Sequence, residues 1–316
     1  MTQPTHPRHS AAVGNGPGPG LVPAALLGAL VAISFAAIFF RQAMPTDPLV
    51  SAGIRLAVAS VVLLPLAVRS IVRNGLDLLL VRWAAVGGLL YGVHFGAWVA
   101  SLERTTVAAS VTLVTATPLL LAIVALFTGR DRPNPKIWWA LGLAAVGITT
   151  IGGTDLGNTP EALLGDALAL LGMAAMAGYL LIGRHLGERL DLWVFSGVAT
   201  AVGAVALLST AAALGIPLEP ASDSALVALV LSALVPQLIG HNLLTWALRY
   251  AKPTTVGMAT VGEPVGATAL GVLLLGEVPS LATVVGCLIT LSAVGMALRL
   301  GQASNPTSSE PSSEEI

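Results

Sequence analysis

Charged residues are scarce in this chain. They make up 10% of its 316 residues, whereas about one quarter of an ordinary soluble domain is charged. Lysine and arginine together number 15, against 16 aspartates and glutamates, so the basic surface of a nucleic-acid-binding protein is missing. This composition excludes a soluble enzyme, a nucleic-acid-binding protein and a disordered chain.

Several chemical motifs are also missing. The single cysteine, Cys287, stands in an apolar run, which excludes an intrachain disulfide and a cysteine metal cluster. The chain contains no GxxxxGK[ST] loop, so we do not expect it to hydrolyse ATP, and neither HExxH nor GxSxG occurs. We therefore predict no enzyme activity, no cofactor and no bound metal.

Long apolar runs are what the chain does contain. Apolar residues make up 55% of it and the mean hydropathy is +0.85. A membrane-spanning helix takes about 20 residues, and breaks at charged residues, proline and glycine divide the runs into ten predicted spans. The predicted spans are 21–40, 49–68, 83–100, 106–128, 137–151, 163–182, 192–214, 225–248, 254–275 and 280–298.

The ends of the chain and its basic residues predict the orientation. Residues 1–20 are rich in proline, glycine and histidine, and residues 301–316 in serine and glutamate, so both are predicted to be disordered tails. With ten spans, 12 of the 15 basic residues fall on the side of the two tails. Because cytoplasmic loops carry an excess of lysine and arginine, we predict a multi-pass protein of the plasma or inner membrane with both termini in the cytoplasm.

An internal repeat divides the chain into two halves. Residues 102–118 align with residues 248–264 at a constant offset of 146, and each stretch reaches a proline near the middle of a span. Because each half has an odd number of spans, the second half is predicted to be inverted relative to the first. Inverted repeats are typical of transporters that bind substrate between the halves. The predicted domains are the repeats at 21–153 and 163–300.

Four short motifs stand out along the chain: His94-Phe95-Gly96-Ala97-Trp98, Gly165-Asp166-Ala167-Leu168-Ala169-Leu170, Pro236 to Asn242, and Glu263-Pro264-Val265. In this order they resemble the EamA family of the drug/metabolite transporter superfamily. The resemblance covers about residues 24–298. It implies an all-α integral membrane protein of ten transmembrane helices, arranged as two inverted five-helix EamA repeats, that exports or exchanges small metabolites such as amino acids. The stretch from Met173 to Gly178 departs from the family, where an aromatic residue is often present.

Two of the charged residues inside predicted spans are candidate site residues. Glu263 lies near the middle of span 9, where a carboxylate normally faces a cavity or a partner. It is a candidate for proton coupling or for binding a substrate amine, and a structural hydrogen-bonding role is the alternative. Arg55, in span 2, is a candidate for binding a substrate carboxylate. A structural role is favoured for Arg55, either by snorkelling to the outer interface or by anchoring a helix end.

Polar and aromatic residues in spans 3 and 8 predict a central substrate site. His94 and His241 lie near equivalent positions of the repeat, Trp98 follows His94 by one helical turn, and Asn242 adds an amide. Hydrogen bonding between helices is the alternative role for these side chains.

Two prolines are predicted to kink helices. Pro118 and Pro264 each lack the N–H that would pair with the carbonyl four residues earlier, at Val114 and Thr260. The freed carbonyls either face a cavity, or the kinks only curve the helices.

We interpret the chain as a secondary transporter, an exporter of amino acids or related compounds that works by alternating access. Proton coupling is left open. Its expected partners are the lipid bilayer and a small-molecule substrate, with no nucleic acid, and the sequence leaves the oligomeric state open. An intramembrane enzyme and a scaffold or sensor that transports nothing are the alternative functions.

Overall fold

The computed structural model describes residues 18, 20–105, 107–131, 135–152, 159–275 and 280–302. These residues are helical or in short turns, with no strand among them, which confirms the all-helical prediction for this part of the chain. The predicted tails lie almost wholly outside the described residues. The helices are α1 (Leu21–Ser34), α2 (Ala36–Ala43), α3 (Pro48–Asn74), α4 (Leu78–Ser101), α5 (Val107–Val114), α6 (Thr117–Thr128), α7 (Ile137–Gly152), α8 (Pro160–Leu186), α9 (Leu192–Ala213), α10 (Asp223–Ser232), α11 (Asn242–Ala247), α12 (Pro253–Thr260), α13 (Glu263–Leu275) and α14 (Leu281–Gln302), with a 3-10 turn at Gly187–Arg189 and a π-helical segment at Ala233–His241.

Most of these helices are apolar enough to cross a bilayer. Seven helical segments in the described residues are long enough as well, and three shorter apolar helices accompany them. Each of the ten segments overlaps one predicted span, although the count of ten spans remains a prediction. The long segments are Leu21–Ala43, Pro48–Asn74, Leu78–Ser101, Pro160–Arg189, Leu192–Ala213, Asp223–Ala247 and Pro253–Leu274, and the shorter ones are Thr117–Thr128, Ile137–Thr150 and Val284–Ala297.

Side-chain caps explain where several helices begin. The Asp77 carboxylate accepts hydrogen bonds from the backbone N–H groups of Leu79 and Leu80, at 2.9 and 3.2 Å. Helix α4 therefore begins at Leu78, whereas the apolar run predicted a start at residue 83. Arg82, which directly precedes the predicted span, consequently lies inside the helix.

The helices pack in pairs that repeat between the two halves. Helix α3 packs along α9, and α7 along α14, which joins spans 2 and 7 and spans 5 and 10. The contact of α4 with α8 joins spans 3 and 6, and the contact of the π-helical segment with α1 joins spans 8 and 1. Exchanging each span with its equivalent in the other half leaves the first two contacts unchanged and converts the other two into each other. Two similar halves packed face to face give this pattern.

Glycine permits the close approach of α4 and α9. A Cβ atom added at Gly88 would lie 2.7 Å from the Ala199 carbonyl oxygen and 2.9 Å from the Ala199 Cα, whereas one added at Gly142 has no neighbour within 4 Å.

We expect Gly88→Ala to lower the free energy of unfolding by about 1–3 kcal/mol, because backbone atoms must move. Gly142→Ala is the matched control. Size-exclusion profiles after heating in detergent measure the effect, and equal melting midpoints for the two variants would contradict it.

Candidate functional site

Two interrupted helices face each other at the centre of the bundle. Helix α5 ends at Val114 and α6 begins at Thr117, while α12 ends at Thr260 and α13 begins at Glu263. Helices α6 and α12 are in contact. Both breaks occur at equivalent positions of the repeat, so the two halves bring the same irregularity to the same place.

The prolines predicted to kink the helices lie directly after these breaks. Pro118 and Pro264 are each the second residue of the helix that follows, where a missing N–H leaves no hydrogen bond unmade. The Val114 carbonyl accepts a hydrogen bond from the Thr117 hydroxyl at 2.8 Å. This carbonyl, one of the two expected to be freed by proline, is therefore already partnered.

A cavity of about 30 Å³ lies between the two breaks. A single water molecule needs about 10–15 Å³ of such space, so this conformation admits water and excludes a metabolite. Both halves of the chain contribute side chains to the cavity wall. The lining residues are Ile33, Ala36, His94, Phe95, Trp98, Val114, Thr115, Thr117, Met176, His241, Thr260 and Glu263.

Four of the predicted site residues meet at this cavity, namely His94, Trp98, His241 and Glu263. Asn242 and Arg55 are not among the lining residues. The Asn242 amide nitrogen donates to the Leu238 carbonyl of its own segment at 2.9 Å. The structure therefore gives Asn242 a local contact and does not bring it to the cavity.

Aromatic rings form one wall of the cavity. The His94 ring lies parallel to the Trp98 ring, with 6.3 Å between centroids, and edge-to-face with Phe95 at 4.6 Å. Phe95 in turn contacts the His241 ring at 5.3 Å. Aromatic pairs in these geometries attract each other beyond their buried area, so the wall is a connected cluster of rings from both halves.

This wall also offers hydrogen-bonding groups. His94 Nδ1 lies 2.9 Å from the Gly172 carbonyl oxygen. Because a carbonyl only accepts, Nδ1 carries the proton in the neutral ring, and Nε2 remains an acceptor. The Trp98 indole N–H is buried and has no hydrogen-bond partner among the described residues. The wall therefore has one acceptor and one buried donor that lack partners among the described residues.

Arg55 lies behind this wall and is completely buried. Its guanidinium carbon is 4.3 Å from the centroid of the Phe95 ring and 5.5 Å from that of Phe40. None of its side-chain nitrogens has a hydrogen-bond partner in the described part of the chain. Snorkelling to the outer interface, one of the two structural roles expected for Arg55, is therefore wrong, because the side chain extends into the interior.

Glu263 is the acidic residue of the cavity. Its side chain is half-buried, and within the described ranges no hydrogen bond or ion pair engages its carboxylate. The charges of Glu263 and Arg55 interact electrostatically without direct contact. The site thus combines a carboxyl group with a guanidinium group behind the wall, and neither has a direct partner among the described residues.

A second cluster connects α4 and α8 to the π-helical segment beside the cavity. The Gln237 amide nitrogen donates to the Tyr91 hydroxyl at 2.9 Å, and the Tyr91 ring stacks on the Tyr179 ring at 4.4 Å. The Tyr179 hydroxyl lies 3.0 Å from the Thr245 hydroxyl. The wider turn of the π-helical segment carries Gln237 and His241, and π-helical turns occur frequently at functional sites.

The threonine side chains of the cavity were not predicted from the sequence. Thr117 is equivalent to Glu263 in the repeat, since the two differ by the offset of 146, and Val114 is equivalent to Thr260 in the same way. All four residues line the cavity. Aligning the two repeats on their prolines is the signal that identifies Thr117, directly before Pro118, and Thr260, four residues before Pro264.

An ion pair connects several helices at one end of the bundle. We call this the arginine-rich end, because it carries Arg69, Arg73, Arg184, Arg189 and Arg249. The Arg184 guanidinium, near the end of α8, binds the Asp131 carboxylate through Nη2 at 2.9 Å and through Nε at 3.2 Å. Its Nη1 donates to the Leu248 carbonyl, just after α11, at 3.3 Å. The arginine therefore connects the ends of spans 4, 6 and 8.

Comparison with known proteins agrees with this architecture. The sequence model of the EamA-like transporter family matches residues 22–153 and 163–299, whereas no curated protein matches the chain. Among 29 matching solved chains, one protein crystal structure superposes with a TM-score of 0.73 over 90% of this chain and 98% of the other, at 18% identity. That likeness shows the fold. The family match covers both halves and most of the chain, and it confirms the predicted resemblance: the chain belongs to the EamA-like transporter family, whose members are multi-pass membrane transporters.

Proposed function

We propose that this chain is a secondary transporter that exports amino acids or related small metabolites across the cell membrane. The observation that carries the proposal is the cavity between two equivalent helix breaks, one from each half of the chain. Transporters built from inverted repeats bind substrate near the midplane, where discontinuous helices meet. Membership of a transporter family favours this function over an intramembrane enzyme or a scaffold.

Alternating access follows from this arrangement. We infer from the proposed ten spans and cytoplasmic termini that the arginine-rich end faces the cytoplasm, in keeping with the excess of basic residues in cytoplasmic loops. Because the cavity excludes a metabolite in this conformation, its walls must separate before substrate enters. Rocking one half against the other widens the space between the breaks, and the Arg184–Asp131 ion pair at the cytoplasmic end stabilises the closed arrangement.

The chemistry of the cavity favours an amine-bearing substrate. The Trp98 ring supplies an aromatic face that attracts an ammonium group, and the Glu263 carboxyl is left to carry a coupling proton. The His94 Nε2 and the Trp98 indole N–H supply hydrogen bonds to other polar groups of the substrate. Arg55 acts from behind the wall through its charge.

Release of metabolites into the growth medium tests the proposed function. Cells overproducing the protein are expected to enrich a class of small amine-bearing metabolites in the medium. Trp98→Ala should abolish the enrichment because it removes the aromatic face from the cavity. Trp139→Ala is the matched control, since Trp139 is 78% exposed on α7 whereas Trp98 is 3% exposed. Equal enrichment by the two variants at matched membrane levels would argue against a substrate site at Trp98.

The ion pair at the cytoplasmic end is expected to bias the conformation. Arg184→Gln should speed the labelling of a Thr117→Cys probe from the cytoplasmic side by about two- to fivefold, in a Cys287→Ser background. That range corresponds to the few tenths to 1 kcal/mol of a partly exposed ion pair. Asp131→Asn should have the same effect, because it removes the other partner. Maleimide labelling of inside-out vesicles measures the rate, and an effect of Arg184→Gln without one of Asp131→Asn excludes the ion pair as its cause.

A further inference from the structure

A groove of about 760 Å³ lies at the arginine-rich end of the bundle, apart from the central cavity. It is bordered by the C-terminal end of α3, the 3-10 turn, the start of α9 and the residues that follow α11. Four exposed arginines line it: Arg69, Arg73, Arg189 and Arg249. No ion pair of these four is found in the described ranges, and Arg249 contacts the ring of Tyr250 at 5.9 Å.

Two carboxylates also line the groove, and one of them is already engaged. Asp191 Oδ1 accepts hydrogen bonds from the backbone N–H groups of Trp193 and Val194, at 3.0 and 3.2 Å. Its second oxygen accepts a hydrogen bond from the Ser70 hydroxyl. Glu188 is the other carboxylate. Four guanidinium groups therefore face two carboxylates, so the groove has an excess of positive charge.

Aromatic residues indicate that the groove lies at the membrane surface. Trp193 and Trp246 both line it, and Trp193 is 42% exposed at the start of α9. Tryptophan is enriched where the bilayer meets water, since its ring is apolar and its N–H is polar. A ligand in this groove would thus contact arginines and the interfacial region of the bilayer together.

We propose that this groove binds the phosphate headgroup of an anionic phospholipid. Guanidinium groups bind phosphate oxygens through two parallel hydrogen bonds, and basic pockets between transmembrane helices are suited to lipid headgroups. A headgroup with net negative charge is selected over a zwitterionic one, because the choline of phosphatidylcholine would bring a cation to four arginines. The lipid is favoured over a free phosphate ion because tryptophans flank the groove at bilayer level. The proposal is independent of the solute that the central cavity transports.

Native mass spectrometry of the purified full-length protein tests this site. The protein is titrated with phosphatidylglycerol or with phosphatidylcholine, and inorganic phosphate is added as a competitor. We expect one phosphatidylglycerol to bind much more tightly than phosphatidylcholine. Arg73→Gln and Arg189→Gln should each weaken that binding about fivefold, the effect of removing one basic residue near a membrane surface.

Matched variants and the competitor separate the outcomes. Arg82→Gln and Arg130→Gln remove exposed arginines from the same end of the bundle but outside the groove, so they should leave phosphatidylglycerol binding unchanged. Equal losses in the groove variants and these controls would overturn the proposal, because they would indicate attraction by overall charge. Displacement of the lipid by millimolar inorganic phosphate would overturn the assignment to a lipid. Arg69→Gln provides a second groove variant if either of the first two folds poorly.

Discussion

Arg55→Met is expected to slow transport at least about tenfold and at the same time to raise the melting temperature of the protein. The guanidinium is completely buried without a hydrogen-bond partner among the described residues. Burying a charge costs several kcal/mol in a folded protein, whereas a desolvated cation–π contact such as that with Phe95 returns about 2 kcal/mol. Replacing the charge with an apolar side chain of similar length should therefore stabilise the fold by about 1–3 kcal/mol.

The loss of transport has a different cause. Arg55 supplies the positive charge that acts on Glu263 at the cavity, and it lies directly behind Phe95 in the aromatic wall. Without this charge the positive electrostatic potential at Glu263 falls. We expect the transport rate to fall at least about tenfold, a change of 1.4 kcal/mol or more.

Thermal melting in detergent and uptake into proteoliposomes measure the two effects of Arg55→Met on the same preparation. Arg82→Met is the control, because Arg82 is exposed and should affect neither measurement. A lower melting temperature would mean that the buried arginine contributes more through packing than its charge costs. Transport at the wild-type rate would assign Arg55 to a purely structural role.

The helices could be predicted from the sequence because their signals are local. A run of apolar residues identifies each span, and Asp77 or a proline marks a boundary within a few residues. The repeat offset also identified the two prolines, and both lie at helix breaks in the structure. The predicted and observed starts differ where a capped helix begins before the predicted span, as α4 does at Leu78.

The site could be predicted only in part, because its remaining features depend on distant contacts. His94, Trp98, His241 and Glu263 were selected as polar or aromatic residues inside spans, and the fold brings them to one cavity. The direction of Arg55 follows from the packing of α2 and α4 around it, which no local pattern reveals. The π-helical segment rotates Asn242 relative to a regular helix, so its place beside His241 in span 8 did not bring it to the cavity.

Glu263 is expected to separate gradient-driven transport from exchange. Its carboxylate is the acidic group of the cavity and has no direct partner among the described residues, so it is able to bind and release a proton as the cavity opens to either side. Glutamine has nearly the same size and cannot carry the charge. We therefore expect Glu263→Gln to abolish substrate accumulation driven by a pH gradient, while substrate exchange at equal pH stays within about threefold of wild type, less than 1 kcal/mol.

Another carboxyl group must be excluded as the source of any pH response. Glu103 lies in the loop after α4, and partial burial raises its pKa above the ordinary value. The negative charge of Asp47 raises that pKa further, whereas Arg104 opposes the shift. Because a raised pKa moves the loss of the Glu103 charge to higher pH, its titration could mimic that of a coupling residue. Glu103→Gln is therefore the matched control, and it should leave gradient-driven transport unchanged.

Proteoliposomes with an imposed pH gradient measure both activities of Glu263→Gln, using the substrate identified from metabolite release. Unchanged gradient-driven accumulation would exclude Glu263 as the coupling residue. Loss of exchange together with accumulation would assign the carboxylate to binding the substrate amine, since exchange requires substrate binding and no net proton movement. Retained exchange with lost accumulation would assign the Glu263 carboxylate to proton binding, and the substrate would then be bound by the aromatic wall.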